Sequence, residues 1–343
     1  MTRPTAIAPA QRTEALSVLR RTLSGLRPLV TMSRDGLVVM ALESTSSGPA
    51  PATLDAPLLV DEAASSGDLV IHEVNGGSVP TLEAVTQKRP VLLLAGDAVI
   101  GGKQNRIVNV TIWLPAAAAT PIPVSCLEAG RWDAGRAFTS GRRVDVRMRG
   151  LVNRMVGEQT IRDNAEQPDA APSYRADQAG IWAEIGHRSG RAGVHSPTSA
   201  LHDLYRSEES DVTAIAAAFP VPTGADGVAI AIGGRLVSLE LFGDRSILAR
   251  AWPRLMESAA SAYLDHRRAV AAGLEAEPAH RYPDRGALER MLKRAIATLD
   301  SAALSASVGE GIDARLTGEK VHGAALVRER QVAHLELFRA DVA

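Results

Sequence analysis

Two segments of the chain share one pattern: GVAIAIGGRLVSLELF (227–242) and GAALVRERQVAHLELF (323–338). Aligned without gaps, they match at Gly227/Gly323, at Ala229/Ala325 and through LELF in both. Each reads as two short strands around a tight turn, and Gly233-Gly234 is a strong hairpin signal because both central residues of such a turn need positive φ. Two readings stand. Either a hairpin is duplicated and packs as two halves of one sheet, or two amphipathic hairpins share their patterning by coincidence. Because the strand pairs run in the same order, we expect both in one mixed sheet covered by the helices between them.

The rest of the chain falls into blocks. Residues 10–25 are helical in pattern, with Leu16, Leu19 and Leu23 at helical spacing. Then GLVVMALES, DLVIHEV, SVPTLEAV, PVLLLAGD, RIVNVTIWL and IPVSCLE follow as β-favouring runs broken by Gly, Pro, Ser or Asp. STSSGPAPAT (44–53), AAAATP (116–121) and EQPDAAPS (166–173) read as loops. LVNRMVGEQTIRD (151–163), a helix ending at Gly190 and another capped by Ser196 before Pro197 make the next part helical. A long helix starting near Pro253 follows the first hairpin. RGALERMLKRAIATLD (285–300) carries Leu288, Leu292, Ile296 and Leu299 on one face. The expected class is α+β: an N-terminal antiparallel, sandwich-like sheet, then a helical and mixed-sheet C-terminal half. We divide the chain into a helical segment (1–34), a β-rich region (35–140), a helical region with the first hairpin (141–275) and a terminal helix plus hairpin (276–343).

Hydrophobic residues make up 45% of the 343, enough for a sizeable core. Aromatics are only 3%, so that core is built from Ala, Val, Leu and Ile. A net charge of −1 with no basic block argues against a nucleic-acid binder. A single cysteine, Cys126, excludes an internal disulfide framework and suits a reducing compartment. No secretory leader is evident, and no run approaches the ~20 apolar residues of a membrane span. The expectation is a cytoplasmic protein that does not engage membranes.

The chemistry concentrates in GGKQNRIVNVTIWLPA (101–116) and IPVSCLEAGRW (122–132). Lysine is scarce, occurring only at Lys88, Lys103, Lys293 and Lys320. Gly101-Gly102 lets another group approach the backbone. Lys103, Gln104, Asn105 and Arg106 then deliver two cations and two amides. That set suits an anionic ligand, because arginine grips phosphate or carboxylate with two bonds and the amides both donate and accept. The same composition also makes an ordinary solvated turn. In RIVNVTIWL, Val108, Val110, Ile112 and Leu114 alternate with Ile107, Asn109, Thr111 and Trp113, the pattern of a strand with one dry face.

In SCLEAGRW, Glu128 and Arg131 can form an ion pair, and Trp132 offers a flat platform for a ring or a cation. Cys126 is either a nucleophile activated by a nearby cation or a small buried hydrophobe, since it shares strand parity with Ile122 and Val124. If 107–114 and 122–127 pair as a hairpin, the two polar clusters fall at opposite ends of it. They then meet only through other strands or a partner subunit. The eight histidines form no HExxH motif; His195, His202 and Asp203 match no standard metal spacing, so no metal or cofactor is expected. GxGxxG, P-loop and GxSxG patterns are missing. Trp113, Trp182 and Trp252 read as core, with Trp182 and Glu184 a lesser candidate pair.

The order of an apolar strand, GGKQNRIVN, a strand and PVSCLE-GRW resembles the ARPP-1 domain, the ADP-ribosylglycohydrolase and rhodanese-phosphatase associated protein domain. SVPTLEAVTQKRPVLLLAGD and GVAIAIGGRLVSLELFGD are similar to that family too. The resemblance covers roughly 15–275, which leaves the terminal segment as an addition. Its recognisable positions fall on Lys103, Gln104, Asn105 and Arg106, and on Cys126, Glu128, Arg131 and Trp132. It implies a role near nucleotide or ADP-ribose metabolism and carries no mechanism.

Two hypotheses follow. In the first, the protein binds or acts on a phosphorylated or ADP-ribose-like small molecule. Lys103 and Arg106 hold the anion, Gln104 and Asn105 orient it, Arg131 also binds the ligand, and Trp132 stacks. Glu128, or Cys126 in the nucleophile reading, would carry any chemistry. In the second, it is a non-catalytic scaffold or regulatory module whose motifs are structural or bind a partner enzyme, and homo-oligomerisation is open in both. Exposed charged ends on Lys103 and Arg106 favour the first. Side chains fully bonded inside the fold favour the second.

Overall fold

The computed structural model describes residues 7–45, 56–133, 135–167, 170–276 and 285–342. The 44–53 and 166–173 loops fall partly outside these. The described residues form an α+β fold around one eight-stranded sheet.

The chain opens with α1 (Pro9–Gly25), β1 (Leu26–Arg34) and β2 (Leu37–Ser44). A large excursion follows: β3 (Leu58–Leu59), α2 (Val60–Ser66), β4 (Leu69–Glu73), β5 (Thr81–Thr86), β6 (Val91–Leu93), β7 (Ala98–Gly102), β8 (Arg106–Val108), β9 (Ile112–Leu114), β10 (Ala119–Cys126) and β11 (Arg136–Ser140). Its helices are α3 (Val146–Glu166), α4 (Gln178–Ala192), α5 (Leu201–Ser207) and α6 (Glu209–Ala216). The chain returns with β12 (Gly227–Ile232), β13 (Arg235–Phe242) and α7 (Arg245–Ala271). It closes with α8 (Arg285–Thr298), β14 (Ala303–Ala306), β15 (Ile312–Thr317), β16 (Val321–Arg328) and β17 (Gln331–Arg339).

The large sheet runs β1-β2-β12-β13-β17-β16-β15-β14, a palindrome about its centre. Both hairpins lie in it side by side. Every pairing in it is antiparallel, and parallel pairing is confined to β3 with β6 in a three-stranded sheet. At the centre, Leu239 faces Leu337, Glu240 faces Glu336 and Leu241 faces Leu335, so the two LELF segments are related by a pseudo-twofold axis through the glutamates. Both hairpins shift register at the same place, between Ile230 and Ala231 in one and between Leu326 and Val327 in the other. At Gly227 a side chain would strike the Glu240 carbonyl, and at Gly323 it would strike the Glu336 carbonyl. These shared details support the duplicated reading over coincidence. They extend it to two α-β-β-β-β units, with residues 58–219 inserted between the second and third strands of the first unit.

One sheet face packs on α1 and α8, through Leu19, Leu23, Leu288 and Leu292 against Leu239, Leu241, Leu335 and Leu337. The other face packs on α7 and the excursion, through Val39, Ile230, Phe242, Trp252, Leu255 and Phe338. On that side Glu240 and Glu336 are fully buried and meet cations from the excursion. Arg143 Nη1 lies 2.6 Å from Glu240, and Arg149 Nη1 lies 3.1 Å from both carboxylates. Burial alone would raise the Glu240 carboxyl, but Arg143 and Arg149 outweigh it and hold it well below its usual value. The excursion carries its own core, in which Val91, Ile107, Ile112, Ile122, Val124 and Val152 are buried.

Several boundaries differ from expectation. Leu26–Arg34 is a strand beside β2 and not part of a helical segment. Helix α7 begins at Arg245, capped by Asp244, which accepts from the Ser246 amide; Pro253 lies inside it. Helix α5 starts at Leu201, and Ser196 instead accepts from the Ala200 amide in the loop ahead of it. RIVNVTIWL is not one half-wet strand: it breaks into β8 and β9, which join different sheets, and residues 106–114 are all buried. Among the described residues, no helix is long and apolar enough to cross a membrane.

Candidate functional site

The six-stranded sheet runs β11-β7-β8-β10-β5-β4. In an antiparallel pair, the start of one strand lies beside the end of the next. Arg106, at the start of β8, therefore pairs directly with Cys126, at the end of β10. The expectation that the two polar clusters fall at opposite ends is thus overturned, and they meet without a partner subunit. Gly101 (φ +127°) and Gly102 (φ +51°) turn the chain out of β7, and a side chain on Gly102 would overlap the Phe138 ring.

The Glu128 carboxylate is the hub. It accepts from the Asn105 amide at 3.2 Å, from Thr198 Oγ1 at 2.7 Å and from Arg131 Nε at 3.1 and 3.0 Å. Arg131 also donates to the Gly102 carbonyl at 2.7 Å, the Gly101 carbonyl at 3.2 Å and Asn105 Oδ1 at 3.3 Å. Asn105 Oδ1 accepts from the Gly101 amide as well. Burial by itself would raise the Glu128 carboxyl, yet the bonds from Arg131, Thr198 and Asn105 win and hold it below the usual carboxylate range.

Arg106 has no exposed surface. Its Nη1 donates to Gln104 Oε1 at 3.1 Å, while Nε and Nη2 have no partner among the described residues. Burial lowers its pKa, opposed by Cys126 and Glu73. The Cys126 thiol donates to the same Gln104 oxygen at 3.1 Å. Burial pushes that thiol up, only partly offset by Arg106, so nothing here activates it as a nucleophile. The buried-hydrophobe reading describes its surroundings better. Gln178, on α4, clamps the Cys126 backbone at both its amide and its carbonyl.

Outward from this buried layer sits Trp132, 48% exposed. Lys103 Nζ lies 5.1 Å from the ring centroid and the Arg106 guanidinium 5.8 Å from it, both within cation–π range. The β4–β5 turn closes the corner. Gly77 (φ +127°) packs so tightly that a Cβ there would come within 2.8 Å of Lys103 and 3.0 Å of Trp132. Glu73 Oε1 accepts from the Lys103 amide at 2.8 Å, and its Oε2 is buried without a partner. All eight residues singled out from the sequence therefore gather in one place.

Glu73, Gly77, Gln178 and Thr198 belong to the same cluster and were not foreseen. They come from another strand, a helix and loops, and only Gly76-Gly77 after HEVN carried a local signal, that of a turn. Among the other tryptophans, Trp113 and Trp252 are buried as expected. Trp182 packs at the edge of the excursion core, and Glu184 faces His187 and Arg191 away from the corner.

No curated protein and no solved structure matches the chain. The pattern of the ARG and Rhodanese-Phosphatase-superfamily-associated Protein domain matches residues 29–338. That span includes both hairpins and corrects the expectation that the family core ends near residue 275; the terminal strands complete the central sheet. The chain belongs to the ARPP-1 family.

Proposed function

We propose that the protein binds a nucleotide-like or ADP-ribose-like phosphorylated molecule at the corner formed by Lys103, Arg106 and Trp132. The observation that carries this reading is a half-exposed indole with a lysine and a buried arginine each within 6 Å of its ring. Such a surface takes a flat ring on the indole and a negative charge beside it. Arg106 adds charge from beneath, where a low local dielectric strengthens its field. Asn105, Glu128 and Arg131 brace the corner through bonds to one another, Gln104 is tied to Arg106 and Cys126, and none of the four reaches for the ligand. We read the corner as a binding site. Glu128 is held ionised and saturated with donors, Cys126 is held as a thiol, and neither is poised for proton transfer or attack at neutral pH.

Calorimetric titration of the wild type, Lys103→Ala and Trp132→Ala with ADP-ribose and with ADP tests this. Loss of either contact should weaken binding by about tenfold, the scale of one cation–π or stacking contact. Equal affinities in all three proteins would remove the reading. The scaffold alternative is favoured by two observations, the bonding of Glu128, Arg131 and Asn105 to one another and the lack of any exposed surface on Arg106. It expects no heat from the wild type with any of these ligands.

A further inference from the structure

A cleft of about 890 Å³ opens on the other side of the excursion, between α3, α4, the β12–β13 turn and α7. Its volume suits a small-molecule ligand. The carboxylates on its walls are already answered. Glu275 is held by Arg147 at 2.5 and 3.0 Å and by His266 Nδ1 at 2.5 Å. Glu184 lies 3.6 Å from Arg191, and Asp341 is bonded to Arg339. Arg154 and Arg235 line the same cleft with no side-chain hydrogen bond or close ion pair among the described residues, and Arg235 acts on the Asp341 carboxylate only from farther off. His187, also on the wall, has only a 4.0 Å approach to Glu184. The surplus charge facing the space is positive.

The pseudo-twofold axis supplies an internal control. The turn Gly233-Gly234 is equivalent to Glu329-Arg330 in the second hairpin, where both residues adopt positive φ without glycine. The fold therefore tolerates side chains at such a turn. At Gly233 it does not, because a Cβ would come within 2.5 Å of His266 Nε2. Glycine here seats His266 against the turn as the floor of the cleft, with Glu275 and Arg147 behind it. Among the described residues the amides of Gly233 and Gly234 have no backbone acceptor, and both glycines lie on the same wall. Among the described residues, no aromatic ring lines the cleft beyond the histidines.

We propose that this cleft is a second binding site, for a phosphate group that is either free or esterified to a small aliphatic carrier, gripped by Arg154 and Arg235 with His187 alongside. Guanidinium forks and unused turn amides are the donors that a compact dianion uses. The proposal does not depend on the Trp132 corner.

The test is a thermal-shift and calorimetric titration with inorganic phosphate and with glucose 6-phosphate, against sodium chloride at matched ionic strength. The proteins are the wild type, Arg154→Gln, Arg235→Gln, the double variant and Trp132→Ala. We expect phosphate or its ester to bind the wild type and Trp132→Ala equally, and each arginine change to weaken binding by about tenfold. A response to the ester alone assigns the carrier a share of the contact; equal responses assign the grip to phosphate. Neither arginine has a side-chain hydrogen bond or close ion pair among the described residues, so the variants should keep a urea midpoint near the wild-type value. A double variant with that midpoint and undiminished affinity overturns the proposal, as does a wild type that responds no more to either phosphate than to chloride. Binding lost in Trp132→Ala but kept in the double variant would place the phosphate at the indole and overturn it as well.

Discussion

Replacing Glu128 by alanine removes the hub of the bonds that tie the KQNR turn to the CLEAGRW loop. The side chain is 4% exposed, so the loss cannot be made good by water. The Asn105 amide would be left buried without an acceptor, which costs about 1–3 kcal/mol. Arg131 would lose its main counter-ion, and breaking a buried pair costs about 3–5 kcal/mol. Arg131 is itself 22% exposed and keeps the Gly101 and Gly102 carbonyls, so its stranded charge is partly relieved. We therefore expect a total near the bottom of that range, about 3 kcal/mol. Glu128→Gln keeps the shape but turns an NH₂ toward donors, and should cost about 2 kcal/mol. Urea unfolding followed by far-ultraviolet circular dichroism at pH 7 measures both. A double-mutant cycle with Arg131→Ala should return a coupling of about 1.5–3 kcal/mol. A loss below about 0.5 kcal/mol for Glu128→Ala, the range of ordinary surface changes, would refute the brace.

Three further outcomes follow from the same geometry. Gly77→Ala should destabilise by about 1–3 kcal/mol and shift tryptophan emission, because its Cβ would press on Lys103 and Trp132 at a positive φ; unchanged emission would remove the contact. Glu336→Ala leaves Arg149 with Glu240 alone and Asn153 without its acceptor in a dry interface, and should cost about 3 kcal/mol in urea unfolding; a smaller loss than that of a surface glutamate would contradict the buried network. Burial lowers the His322 pKa to about 4, with Nε2 2.9 Å from the Gly150 carbonyl. Below its unfolded value of about 6.5 the unfolded chain takes up the proton first, so this stability is full above that pH and is lost as pH falls toward 4. His322→Gln should flatten that window of the stability–pH curve, and an unchanged curve would show that the imidazole does not titrate as described.

Much of the central sheet was legible because it rests on local signals. The Gly233-Gly234 turn and the repeated LELF pattern located both hairpins, and the helical leucine spacing located α1 and α8. Strand β1 was missed because its side chains are mostly exposed at a sheet edge, so no alternation marks it. The break of RIVNVTIWL at Asn109–Thr111 was missed for the opposite reason: with every residue buried, periodicity cannot tell one strand from two. Thr111 is drawn to His334, more than two hundred positions away, by a bond of 2.9 Å that no local pattern announces. At the site, the unusual residues were visible as unusual, and the pairing of Arg106 with Cys126 was the step misjudged. The roles shifted too. Glu128 has the composition of an acid–base residue, but its four bonds, two of them from distant segments, make it a brace.

The account stands most directly on Trp132, the one tryptophan that is both exposed and flanked by Lys103 and Arg106. An equilibrium fluorescence titration with ADP-ribose isolates it by subtracting the Trp132→Phe spectrum from the wild type. The predicted result is a saturable change in the difference emission, with the midpoint moved by about tenfold in Lys103→Ala. A signal that persists in Trp132→Phe, or a midpoint indifferent to Lys103, would contradict it.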